Sequence, residues 1–122
     1  MTRKKEILLQ GEITYPSFLE IDPKRLTSRG QLYTTQNFVD QEKLLKALNG
    51  IVDPDDVAIP RGFWWGERQA IVLGDGNHRT AVAYLNGQII KIEIIRPFDQ
   101  SKNPIPFNVF IRNHLSGMGL QY

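Results

Sequence analysis

Residues 72–95 read VLGDGNHRTAVAYLNGQIIKIEII, and the order of elements in this stretch decides the fold. An apolar run ending at Leu73 meets Gly74-Asp75-Gly76, a polar turn that a strand does not continue through. Beyond it, Ala81, Val82 and Leu85 recur at helical spacing, which predicts a helix over 77–85. Asn86-Gly87 is a helix stop, because glycine accepts the left-handed conformation that closes the last turn. The β-branched run in QIIKIEIIRPF then reads as a strand that Pro97 ends. Strand, glycine turn, helix and strand thus follow one another without a linker.

Upstream, Phe63, Trp64 and Trp65 favour a strand, Gly66-Glu67 a turn, and Ala70 to Leu73 a short buried strand, together a β-hairpin. One tryptophan is expected in the core and the other over the sheet, unless the pair forms an exposed surface for a base or a partner. DQEKLLKALNG reads as a helix with Asp40 as its cap and Asn49-Gly50 as its stop, and a strand is expected around Val57 to Ile59. Pro23 starts a turn or a first helical position, and LTSRGQLYTTQNF reads as an ordered loop. Downstream, SKNPIP is a loop and FNVFIRNHL a final helix over 107–115, with Phe107, Phe110, Ile111 and His114 or Leu115 inward. Residues 1–122 are therefore expected to form one compact α+β domain, a small mixed sheet with packed helices, whose core spans about 7–98.

Bulk properties narrow the function. The chain has 122 residues and a net charge of +2, too small in itself to argue for nucleic acid. It has no cysteine, which excludes disulfides, thiolate catalysis and cysteine metal sites. With two histidines, no histidine-rich metal cluster is expected. No apolar run reaches the roughly 20 residues of a membrane span, and the start lacks the apolar stretch of a secretory signal. A cytoplasmic chain without a membrane partner is the expectation.

The glycine turn carries the chemistry. A helix start offers backbone N–H groups and partial positive charge, and glycines let an anion approach the backbone closely. Gly74 and Gly76 remove side chains, Arg79 adds a fixed bidentate cation, His78 can donate, and Thr80 offers a hydroxyl. This set suits a di- or triphosphate. It is neither a P-loop, which needs Gly-Lys-Ser/Thr, nor a Rossmann turn, which needs glycine where Arg79 stands. A plainer account remains beside it: Asp75 or Asn77 caps the helix, His78 packs half-buried, and Arg79 sits on a solvated face.

VLGDGNHRTAVAYLNGQIIKIEII resembles the signature segment of the ParB/sulfiredoxin superfamily, in which a strand enters a Gly-x-His-Arg or Gly-Glu-Arg-Arg turn, followed by an alanine-rich helix, a glycine and a β-branched strand. FLEIDPKRL, through Ile21, Pro23 and Arg25, resembles the family's first strand and turn, and DQEKLLKALNG and VAIP follow in the family's order. The resemblance covers about residues 13–95. It implies a small α+β domain that holds a nucleoside triphosphate, ATP or CTP, with magnesium. By position, Gly76, Asn77, His78 and Arg79 would line the phosphates, with Lys24 and Arg25 approaching from the first turn. Asn77 stands where sulfiredoxin has its reactive cysteine, so that chemistry is excluded. ParB proteins continue into a helix-turn-helix domain, for which residues 98–122 are too few.

Two functions follow as expectations. One is nucleotide binding with hydrolysis or transfer of the γ-phosphate, in which His78 and Arg79 stabilise charge and Glu20, Asp22 or Asp75 serves as base. The other is a non-enzymatic module that holds DNA or a protein on the same scaffold. The residues leave the oligomeric state open.

Overall fold

A computed structural model of the chain describes residues 13–35 and 59–117, with Glu42, Leu45, Lys46 and Asn49 between them. Most of the helix expected over 40–50, and the strand expected around 57–59 except Ile59, lie outside the described residues. Within that helix Glu42, Leu45 and Lys46 are helical, and Lys46 pairs with Glu42 one turn away at 3.5 Å.

Strand β1, Ser17–Ile21, leads into helix α1, Pro23–Ser28. Proline is at home at this first helical position, where its missing N–H costs no helical bond. Asp22 caps the helix, its Oδ1 accepting from the amides of Lys24 at 3.1 Å and Arg25 at 3.3 Å. Strand β2, Leu32–Thr34, lies inside the segment that reads as a loop, and the parallel β4 gives it a partner. The hairpin expected around the tryptophans is present as β3, Arg61–Trp65, and β4, Ala70–Asp75, joined by a 3-10 turn over Gly66–Arg68.

Helix α2, Asn77–Asn86, follows Gly76 and ends on Gly87, whose φ of +65° closes a turn in which Gln88 N donates to Ala83 O. Strand β5, Ile90–Pro97, is followed by a two-residue strand β6, Ile105–Pro106, at the end of the expected SKNPIP loop. Helix α3, Phe107–Gly117, closes the described chain. Phe107, Phe110, Ile111 and Leu115 are buried on it, at the expected positions.

The six strands form one mixed sheet in the order β1-β5-β3-β4-β2-β6. Strand alternation divides its side chains between two faces. Leu19, Ile21, Leu32, Trp64, Ile71, Leu73, Ile92 and Ile94 share one core with Leu26 of α1, Ala81 and Tyr84 of α2, and the four apolar residues of α3. Helices α1, α2 and α3 therefore lie on this face. The other face carries Phe18, Tyr33, Phe63 and Trp65, with Phe98 tilted on Trp65 at 5.1 Å and Tyr33 edge-on to it at 5.3 Å. Trp64 and Trp65 thus divide as expected, the first buried beneath the helices and the second half-buried on the opposite side. Among the described residues no helix is long and apolar enough to cross a membrane.

Candidate functional site

Strand direction brings the candidate residues to one rim. Strand β1 is antiparallel to β5, β5 is parallel to β3, and β3 is antiparallel to β4, so β1 and β4 run the same way. β2, parallel to β4, shares that direction. The C-terminal ends of all three open on the same edge, which is where ligands bind in sheets whose strands lead into helices. α1 leaves β1 there and α2 leaves β4, three strand steps or about 14 Å apart in the sheet. Both helices lie on the same face and touch each other.

The turn between β4 and α2 is over-determined. Gly76 has φ +78°, a left-handed conformation that L side chains resist. A Cβ there would also lie 2.6 Å from both Cα and Cβ of Pro60. Pro60, not solvent, therefore fills the space beside this glycine. At Gly74 a Cβ would come within 2.7 Å of the Phe63 ring. Thr80 is fully buried, and its hydroxyl donates back to Gly76 O at 2.9 Å. Asn77 is 1% exposed, with its Oδ1 accepting from the Thr34 hydroxyl at 2.7 Å. The side chains of Asn77 and Thr80 thus hold the turn itself, and what they present at the rim is backbone.

The charged residues are placed differently. Arg79 is exposed and His78 half-buried on the first turn of α2, and Lys24 and Arg25 are exposed on the first turn of α1. These four cationic or donor side chains are the ones that strand direction brings to the same rim. Asp75 is exposed at the turn, one carboxylate oxygen accepting from Gly76 N at 2.9 Å. Asp22 is engaged as the α1 cap. Glu20 alternates away from Leu19 and Ile21, opposite Lys91, and so lies on the face opposite α1, α2 and α3, not at the turn. Among the described residues no three His, Asp or Glu side chains group to hold a metal ion.

Two residues that shape the turn escaped the sequence reading. Pro60 marked only a loop, and its contact with Gly76 depends on β3 and β4 pairing. Thr34 was one hydroxyl among several in LYTTQ, and only the parallel β2–β4 register aims it at Asn77. Comparison with protein-family models, with curated proteins and with solved structures returns no match to this chain.

Proposed function

We propose that this rim binds the phosphates of a nucleoside triphosphate, ATP or CTP, in the manner of a ParB/sulfiredoxin-like domain of the cytoplasm. The observation that carries the reading is the shared direction of β1 and β4, which opens the first turns of two touching helices on one edge. Arg79 supplies a guanidinium matched to phosphate oxygens, and Lys24 and Arg25 add charge from the neighbouring helix. His78 donates to a phosphate oxygen. The amides at the α2 start complete the cradle, with Gly74, Gly76, Asn77 and Thr80 holding its backbone.

Magnesium would be held chiefly by the phosphates, which fits a rim whose carboxylates are Asp75 at the turn and Asp22, engaged as the α1 cap. In hydrolysis or transfer of the γ-phosphoryl group, Asp75 takes the proton of the attacking water or acceptor hydroxyl. The bond from the γ-phosphorus to the bridging oxygen breaks as the new P–O bond forms.

Titration calorimetry with ATP, CTP, GTP and ADP in magnesium buffer tests the reading. Saturable heat is expected for at least one triphosphate, weakened about tenfold or more in Arg79→Ala, the loss of one charge-assisted contact. A folded protein that stays silent at millimolar nucleotide overturns it.

A second reading, a non-enzymatic module for DNA or protein, draws on the other face. There the Arg68 guanidinium lies 4.8 Å over the Trp65 ring and that of Arg96 lies 5.0 Å over Phe63. It predicts salt-dependent DNA binding, or capture of a protein partner, that Trp65→Ala abolishes and Arg79→Ala leaves intact.

A further inference from the structure

The hydroxyl of Thr34 and the amide of Asn77 form a polar pair at the edge of the apolar core, beside the buried Thr80. Both residues are at most 1% exposed, and 2.7 Å separates Oγ1 from Oδ1. Their neighbours on the same sheet face are Leu32, Leu73 and Ile71. Burying two polar groups there requires hydrogen-bond partners, and this bond supplies one to each side chain, whereas a pair of apolar residues would fill the space without that requirement. The pair spans 43 residues of sequence and joins the last residue of β2 to the first residue of α2. Thr35 adds a backbone bond from its amide to Leu73 O at 3.2 Å, one residue before Gly74.

We infer that Thr34 is a positioning residue for the phosphate turn and acts on it through Asn77. The inference rests on the phosphate reading above. The Thr34 hydroxyl fixes the Asn77 side chain inward, and this sets the direction in which the amides of Asn77 and His78 face. Thr80 holds Gly76 O from the helix side and Pro60 packs against Gly76 from the sheet side. The turn is thus constrained from three directions by residues that would never touch the ligand. A binding site that stabilises charge depends on donors whose orientation is set before the ligand arrives. Thr34 supplies that constraint from the strand whose C-terminal end opens on the same rim.

The test compares Thr34→Val, which keeps the shape and removes the hydroxyl, with Thr34→Ser, which restores it. Two readouts are needed: amide hydrogen exchange in the ligand-free protein, and calorimetric affinity for magnesium-ATP or magnesium-CTP. In Thr34→Val, exchange at the Thr80 amide, which donates to Gly76 O at 3.0 Å and so reports opening of the turn, should rise about tenfold while the amides of Ile71 and Val72 hold their rates. Nucleotide affinity should fall by a similar factor, and Thr34→Ser should recover both.

Exchange that rises equally throughout β4 and α2 overturns the inference, since it marks a structural role only. Unchanged exchange and affinity in Thr34→Val overturn it as well. If the parent protein binds no nucleotide, the phosphate reading falls and this inference falls with it. If the parent binds and Thr34→Val binds equally, the inference alone is wrong.

Discussion

Gly76 is where backbone conformation and packing make the same demand. Its φ of +78° disfavours any side chain, and Pro60 occupies the place a Cβ would take. Gly76→Ala should therefore cost at least about 1–2 kcal/mol from conformation alone, with the steric contact added. Chemical denaturation of parent and variant measures it, and an unchanged midpoint would show that the turn relaxes freely. Because the chain has no cysteine, single thiols can report side-chain direction. Asn77→Cys should react slowly with a thiol reagent, since residue 77 is buried against Thr34, whereas Asp75→Cys should react at the rate of an exposed thiol. Equal rates would contradict the inward direction of residue 77. At Asp99 the Ser101 backbone amide, donating at 3.0 Å, and then the Ser101 side chain hold the carboxyl below its ordinary 3.8, with Lys102 and Arg96 adding to the effect. A group depressed on folding contributes stability above its unfolded pKa, and the contribution disappears as pH falls through the folded value. Carboxyl NMR titration should place the Asp99 midpoint below 3.8, and a midpoint at or above it would show that the loop bond does not persist in solution.

The elements readable in the sequence are those with local signals at both ends. Helix α2 has glycines before and after it and β5 is a β-branched run closed by Pro97, whereas Pro23 marked only a turn or a first helical position where α1 begins. The β3–β4 hairpin announced itself through its aromatics and its short turn. Strands β2 and β6 did not. They have three and two residues, and each is defined by a partner remote in sequence: β2 by β4, and β6 by β2. Periodicity cannot reveal an element of that length, because the information lies in the partner. The candidate site divides in the same way. Gly76, His78 and Arg79 were legible from the spacing of one turn. The inward direction of Asn77, the closure by Pro60 and the turning of Glu20 to the far face each depend on strand pairing.

At the scale of the molecule, one face of the sheet holds the core with helices α1, α2 and α3. α3 packs on it at the end of the described residues, and Phe107 at its start is fully buried, 5.9 Å from the Tyr84 ring of α2 and 5.4 Å from Phe110. Phe107→Ala should destabilise the whole fold by about 3–5 kcal/mol, because the cavity opens between two helices and the sheet. Thermal unfolding followed by circular dichroism checks this, and a loss confined to α3, with β-structure melting at the parental temperature, would show that α3 is an independent appendage. The sheet also seats Trp64 and Trp65, neighbours in the chain, on opposite sides of the fold. Every tryptophan photon from this protein therefore comes from one of two adjacent residues with different surroundings. A variant retaining only Trp64 would watch the helices detach from the sheet. A variant retaining only Trp65 would watch the Arg68 cation leave its ring. The two colour changes, followed in one denaturation experiment, would reveal whether the two sides of this small fold come apart in a single event.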